Sequence, residues 1–363
     1  MPSTSDLPLH DVLAAAGARF AERRGQPVAA SYGDTAGEYA AACEAAALLD
    51  LPLRAVLEAS GPQRQKFLQG MLSHDVAGRQ PGQGCHAALM NAKGAVQALV
   101  RVLVDKDVVL LETDFDRIGR LQGTLEHHRV AAPVRFAARP TSVLALLGPG
   151  AARVLSAAGI DSPPASPEAH QVVAIAGHPL RLVRAGDLPG GGFVLHAAPE
   201  SAAAAWEALR TAGARPVGYD ALDALRVEAL RPWYGSDVTE DNLLHETGLV
   251  AECHSPAKGC YVGQEVVARL EARGGNVSRA LRGLRLSAPA AAGAAVSVDG
   301  REVGRVTTAA VSPRLGPIAL AYVHRGHFAP GTAVEVDGAP ATVVTSFEER
   351  AASENGAAEP ARE

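Results

Sequence analysis

Aromatic residues are scarce in this chain. Phe, Trp and Tyr make up 4% of its 363 residues. Hydrophobic residues still reach 47%, so a core built mainly of Ala, Val and Leu is expected. There are four cysteines, Cys43, Cys85, Cys253 and Cys260, and no Cys-x-x-Cys pair among them. That argues against a zinc site or a disulfide framework and fits a reduced, cytoplasmic setting. No uninterrupted apolar run approaches the length of a bilayer-crossing helix, so no membrane association is expected. Asp6 and Asp11 precede any apolar run, which speaks against a secretory signal. A net charge of −5 gives no global reason to expect direct nucleic-acid binding. The length favours two or three domains.

What is present is concentrated in Lys258-Gly259-Cys260-Tyr261-Val262-Gly263-Gln264-Glu265. Gly259 and Gly263 suit a bent loop. Glu265 followed by Val-Val-Ala-Arg-Leu reads as the first turn of a helix, where the dipole favours a carboxylate. Cys260 then lies just before a helix N-terminus and beside Lys258, and both features favour a reactive thiolate. A buried, inert cysteine in a tight loop is the alternative that the residues leave open.

Along the chain, Asp11 to Arg24 reads as a short helix, with Asp11 as N-cap and Gly25 past its end. Ala-rich helical spacing runs from Glu38 to Leu49. An internal echo follows. Val56 to Pro62 reads as strand and Gly-Pro turn before a helix at Gln63–Gln69, and Val143 to Pro149 repeats this before Gly150–Ala158. In the first half, strands follow at Cys85–Met90, Val96–Val104 and Val108–Glu112. Asp114 caps a helix through His128, and an edge strand at Val134–Phe136 closes the unit. In the second half the strands are Val172–Ile175, Leu180–Val183 and Gly192–His196, then a helix at Pro199–Thr211 and a closing strand at Arg215–Val217. Each half reads β-α-β-β-β-α-β, close to a ferredoxin-like layout. The class expected is α+β, with inner strands joined by turns too short for parallel crossovers. Tyr219–Leu230 carries a helical apolar stripe. From Leu284 onward short strands surround Asp299-Gly300 and Asp337-Gly338, which are hairpin signals, and suggest a small antiparallel barrel. The expected division is 1–140 and 141–280 for the two halves, 281–347 for the barrel, and a Glu/Ala-rich disordered tail at 348–363.

The octapeptide resembles the signature of the YgfZ/GcvT-like folate-binding family, Lys-Gly-Cys-(Tyr/Phe)-x-Gly-Gln-Glu, at every fixed position. The resemblance extends from roughly Gly61 to Val344. It implies the fold of the glycine-cleavage T-protein, in which three domains surround a folate cavity. Leu225-Arg226-Val227-Glu228 is similar to the family's Leu-Arg-x-Glu segment, which implies that Glu228 binds the pterin ring of tetrahydrofolate. A carboxylate suits the amino-pyrimidine edge, since it accepts two parallel hydrogen bonds. A salt bridge from Glu228 to Arg226 or Arg231 is the plainer alternative. Asn242 to Leu249 resembles Asn-Leu-Pro-x-Glu-x-Gly-Leu, with Leu244 in place of proline.

Other residues are read from their chemistry. Trp233 and Tyr234 either line a flat-ring pocket or pack a helix end. Lys258, Arg269, Arg273, Arg279, Arg282 and Arg285 outnumber Glu265 and Glu271 over 258–285. Arg269 and Arg273, four apart, are the candidates for folate's glutamate tail or an acidic partner; a solvated helix face is the alternative. The histidines, including His127-His128, show no metal-ligand spacing. T-proteins carry a catalytic aspartate in the strand after a Gly-Gly turn. The matching stretch here, Lys93 to Leu99, offers Gln97 and Ala98 instead.

Taken together, the resemblance implies a tetrahydrofolate-binding protein that supports assembly or repair of iron–sulfur enzymes. Cys260 is its functional thiol, and iron–sulfur proteins or their assembly factors are its partners. One alternative is a folate-dependent, aminomethyltransferase-like enzyme on an unknown substrate. The other is a non-catalytic scaffold for cluster-carrying proteins.

Overall fold

The two strand–turn–helix echoes build two sheets with one strand order. The computed structural model describes residues 8–347; the tail expected to be disordered lies outside them. The chain opens with α1 (His10–Ala15), the hairpin of β1 (Arg19–Arg23) and β2 (Gln26–Ser31), α2 (Thr35–Glu44) and β3 (Ala47–Asp50). The first repeat follows as β4 (Arg54–Ser60), α3 (Arg64–Met71), β5 (Gln83–Met90), β6 (Val96–Val104), β7 (Val108–Asp114), α4 (Ile118–Arg129) and β8 (Arg135–Arg139). The second is β9 (Ser142–Leu147), α5 (Ala151–Ala157), β10 (His170–Ile175), β11 (His178–Ala185), β12 (Gly192–Ala197), α6 (Pro199–Thr211) and β13 (Arg215–Pro216). After α7 (Tyr219–Glu228), α8 (Val250–Cys253) and α9 (Gln264–Ala272) come β14 (Arg279–Leu286), β15 (Ala295–Val298), β16 (Arg301–Ser312), β17 (Gly316–His324), β18 (Ala333–Val336) and β19 (Ala339–Val344).

The first sheet runs β5-β6-β7-β4-β8 and the second β10-β11-β12-β9-β3-β13. The second order is the first with one strand, β3, inserted between β9 and the closing strand. β3 pairs antiparallel with β9 and parallel with β13. The α+β reading is therefore correct, and the repeat is visible strand by strand.

Three local readings are corrected. The helix expected over Asp11–Arg24 stops at Ala15, because Gly17 turns the backbone left-handed (φ 93°); Arg19 onward then pairs as a hairpin. The Ala-rich helix expected to Leu49 stops at Glu44. The residues after it are drawn into the second sheet, where Ala47 and Leu48 are fully buried; tertiary pairing overrides alanine's helix preference. Asp114 stands at the N-cap of a 3-10 turn, Phe115–Arg117, that leads into α4, but its side chain makes no capping bond. Its carboxylate accepts from Arg24 at 2.9 Å and from Arg54 at 3.2 Å.

By internal contacts the described chain forms two compact units. One holds the residues up to Asp223 with Pro232–Val277, and the other Ala224–Arg231 with the residues from Ser278 on. In the second unit β14-β17-β16-β15-β18-β19 close into a barrel. Asp299-Gly300 and Asp337-Gly338 sit at its expected hairpin turns, all at positive φ. Its interior is Val- and Ala-rich, with Val296, Val323 and Val343 fully buried.

In the first unit the two sheets are joined by buried charge. Arg101, on β6, is 1% exposed. Its guanidinium donates to Glu112 of β7 (2.8 and 2.9 Å), to Glu168 (2.8 Å) and to Asp187. Glu112 also accepts from Arg54 (2.9 Å) and lies 2.8 Å from His196 Nε2 on β12. Nearby, Arg181 of β11 reaches Asp105 beyond β6 (2.5 Å), and the His170 amide donates to the Gly82 carbonyl (2.8 Å). Burial pushes the carboxyls of Glu112 and Glu168 up, but Arg101 outweighs it, helped by Arg54 and His196 at Glu112 and by His86 at Glu168. Both are held below the ordinary carboxylate range.

Replacing Arg101 with Leu leaves three carboxylates without their shared cation. Unfolding free energy at pH 7 is expected to drop by about 3–5 kcal/mol in urea titrations. Glu112 and Glu168 have depressed folded values, so their contribution is present above the unfolded value of about 4.3 and is lost as pH falls further. Stability of the parent should thus decline with acid below about pH 4.3. An Arg101→Leu protein as stable as the parent would refute this role.

Candidate functional site

The segment Ser255–Val262 wraps the C-terminal end of α3. Ser255 N–H donates to the Ser73 carbonyl (3.2 Å) and Val262 N–H to the Gly70 carbonyl (3.2 Å). Between these two stitches, Lys258 points inward. Its ammonium donates to the carbonyls of Gln69 (2.6 Å), Leu72 and His74 (3.2 Å). The last carbonyls of a helix have no partner within it, and a cation there also meets the negative end of the dipole. The ammonium lies 4.7 Å from the centre of the Tyr261 ring, a cation–π distance. Burial lowers the Lys258 pKa to about 8, with Asp75 and Cys85 opposing, so at pH 7 it remains charged.

Lys258 thus does a different job from the one expected. Its neighbourhood to Cys260 in the sequence predicts support for the thiolate, but its ammonium is engaged by the carbonyls at the end of α3. Tyr261 is buried among Met90, Cys253 and Val267, whereas Cys260 is exposed. The inert, buried alternative for Cys260 is therefore not what is found. Two inward side chains flank an outward thiol.

Behind the loop, α9 begins at Gln264 with Gly263 as N-cap and Glu265 in its first turn, as the sequence predicted. Gly263 has φ 88°, and a Cβ there would lie 2.8 Å from the Asn91 carbonyl oxygen. Gly94 answers from the β5–β6 turn: its Cβ would lie 2.8 Å from that of Val266. The two glycines allow the Cys260 motif and the Asn91–Gly94 turn to touch. The Asn91 carboxamide oxygen shapes that turn, accepting from the amides of Lys93 (2.9 Å) and Ala95 (3.1 Å). Asn242 to Leu249 lies along the start of β6, where Val96 N–H donates to the Asn242 carbonyl (2.9 Å). Buried Glu246 holds that segment by accepting from Leu243 N–H (3.2 Å).

Arg269 pairs with Glu265 at 2.5 Å, one helical turn back, with both side chains largely exposed; such a pair is weak. Arg273 is exposed at the C-cap of α9. Arg282 donates to the Phe328 carbonyl (3.0 Å), and Arg285 to the Phe347 carbonyl (2.5 Å). Lys258, Arg269, Arg282 and Arg285 are thus held by separate local partners. Trp233 packs edge-on to Tyr219, 5.9 Å between centroids, which fits the helix-end alternative. Glu228 belongs to the barrel unit. Its carboxylate accepts from the Ser312 hydroxyl and from Arg314 (2.8 Å), so it fastens the end of α7 to the β16–β17 turn.

One cluster escaped the sequence reading. Ligand-type atoms of His86, Glu168 and Asp187 lie within 4.8 Å of one another. Burial lowers the His86 imidazole, but Glu168 and Asp187 outweigh it and raise its pKa. Arg101 already neutralises both carboxylates, so this is an ion-pair lattice with its cations in place. Spacing rules are blind to residues so far apart in the chain. The available signal was a charge inside an apolar strand, as in Val-Arg-Val around Arg101. Among the described residues, no helix is long and apolar enough to cross a membrane.

Comparison with known proteins agrees with this architecture. The GCVT N-terminal domain model matches residues 9–255, and the glycine cleavage T-protein C-terminal barrel domain matches 279–346. An aminomethyltransferase of Saccharopolyspora erythraea is 30% identical over 349 residues, covering 93% of this chain and 95% of that one. Another, of Symbiobacterium thermophilum, is 31% identical over 353 residues, covering 92% and 93%. The crystal structure of glycine cleavage system aminomethyltransferase T from Bartonella henselae shares the fold, with TM-score 0.85 at 24% identity over 93% of this chain and 96% of that one.

Lys258→Met removes the charge that caps α3 and is expected to cost about 1.5–3 kcal/mol, the range for hydrogen bonds from a charged donor. Chymotrypsin cleavage after Tyr261, which is buried in the parent, should accelerate with it. Unchanged melting and unchanged cleavage would rule out the clamp. Gly263→Ala is expected to lose about 1–3 kcal/mol from the left-handed backbone alone, measured by thermal unfolding.

Proposed function

Because the chain belongs to the glycine cleavage T-protein family, we propose that it is a tetrahydrofolate-dependent transferase of the aminomethyltransferase kind. The observation that supports this most is coverage. Relatives bearing that name align over more than nine-tenths of both chains, so the whole architecture is shared rather than one motif. These comparisons favour the transferase reading over iron–sulfur maintenance. In this reading the substrate that exchanges a one-carbon unit with folate is not the aminomethyl-lipoyl carrier of glycine cleavage. The stretch Lys93–Leu99 has no carboxylate, since Gln97 and Ala98 stand where T-proteins carry an aspartate.

Bound as its methylene derivative, tetrahydrofolate would supply the one-carbon unit and its carrier nitrogens. The chain's own residues bind and orient it. Glu228 is the candidate partner of the amino-pyrimidine edge. It would have to share its carboxylate with Arg314, which is about half exposed and so able to yield. Arg269 and Arg273 remain candidates for the glutamate tail; the weak pair of Arg269 with Glu265 is easily exchanged for a ligand carboxylate. Trp233 is the candidate ring-stacking residue.

A second reading is supported by a separate observation, the outward thiol of Cys260 on a loop stitched down on both sides. Such a thiol suits a role in assembly or repair of iron–sulfur enzymes, with iron–sulfur proteins or their assembly factors as partners; in this reading the protein works in the cytoplasm. A scaffold that docks such proteins without turnover is its non-catalytic form.

Calorimetric titration of the full chain with tetrahydrofolate is expected to give saturable binding, weakened about tenfold or more by Glu228→Gln, with melting temperature as the control for folding. Incubation with methylene-tetrahydrofolate and candidate amines should consume the folate if the transferase reading holds. Binding without consumption, together with loss of in vivo complementation in Cys260→Ala, would favour the second reading. No binding at all would remove both.

A further inference from the structure

The first unit carries a groove of about 630 Å³ that the foregoing roles leave unused, well within the size range of small-molecule sites. One wall is α4, the other the β5–β6 turn, and Val262 from the Cys260 loop closes one end. Three observations bear on its occupant. First, Arg120, His127 and His128 line it, and no carboxylate does. Arg120 pairs outside the lining with Glu240 at 2.8 Å, both partly exposed. Second, Gly119 in the first turn of α4 and Gly123 in its interior line it, and an interior glycine is destabilising relative to alanine. A Cβ at either position would meet nothing within 4 Å, so side chains are missing where there is room for them. Third, Gln97 also lines the groove, is only 8% exposed, and its carboxamide makes no hydrogen bond to another described residue. Its amide is not sealed from solvent, so a molecule in the groove can pair with it.

We propose that this groove binds a small carboxylate- or phosphate-bearing molecule, whose body lies against the bare backbone at Gly119 and Gly123. Its anionic end meets Arg120 and the two histidines, and its polar edge meets the Gln97 amide. The glycines admit the ligand close to the helix, which any larger residue would prevent. The site stands independently of the roles of Glu228 and Cys260.

The test uses the full-length protein with labelled histidines. Citrate and pyrophosphate are titrated separately at constant ionic strength, and the His127 and His128 imidazole signals are followed by NMR. Saturable shifts are expected with at least one probe. Saturation by citrate alone assigns a carboxylate ligand, and by pyrophosphate alone a phosphate. Gly123→Leu fills open space on an exposed helix face, so its melting temperature should equal or exceed the parent's while the dissociation constant rises about tenfold or more. Gln97→Leu is the second variant and is expected to weaken binding with the fold intact. Shifts that grow linearly without saturating, or folded variants that bind as the parent does, would overturn the proposal.

Discussion

The guanidinium of Arg101 is the point on which the first unit depends. Four hydrogen bonds leave one buried side chain for three carboxylates. Glu112 shares the sheet of Arg101, while Glu168 and Asp187 flank the strands of the other sheet. A planar, permanently charged fork suits this better than any other side chain, because lysine offers no fixed two-dimensional geometry. Burying so many charges is costly in itself. The lattice is tolerable only because nearly every oxygen finds a donor, and so it holds the two sheets in one register rather than merely together.

Duplication explains why such a seam exists. Two copies of one strand order, each with an apolar helix-covered face, must present their other faces to something. In the first sheet Ala98, Val100 and Val102 pack toward the helices, and Arg101 falls on the opposite side by the two-residue period of a strand. The inserted strand β3 adds a further tie. It precedes the first repeat in the chain but lies inside the second sheet. The repeats are therefore interlocked covalently as well as through charge.

The Cys260 loop is built on a similar economy of small contacts. Lys258 turns inward to finish α3, Tyr261 turns inward to the core, and Cys260 is left outside. The loop rests on the β5–β6 turn only because Gly94 and Gly263 lack side chains there. The same turn forms one wall of the groove over α4. Membership of the T-protein family accounts for the sheets and barrel, whereas the exposed thiol and the carboxylate-free stretch at Gln97 are features of this chain that the shared fold does not require.

Much was legible in the residues alone. Strand alternation, Gly-Pro turns and Asp-Gly hairpins specify local geometry through steric rules, so the repeat, the barrel and the helix after Gly263 could be read directly. The octapeptide was legible for the same reason, as a fixed order of rare residues. Only the tertiary structure decided where charges ended. Lys258 stands two places from Cys260 in the chain yet serves the carbonyls of residues 69, 72 and 74. Glu228 answers to Ser312 and Arg314, 84 and 86 residues further along the chain. β3 became a strand because β9 and β13 pair with it on either side. Each of these outcomes depends on partners tens to hundreds of residues away, and no local pattern encodes a partner at that distance.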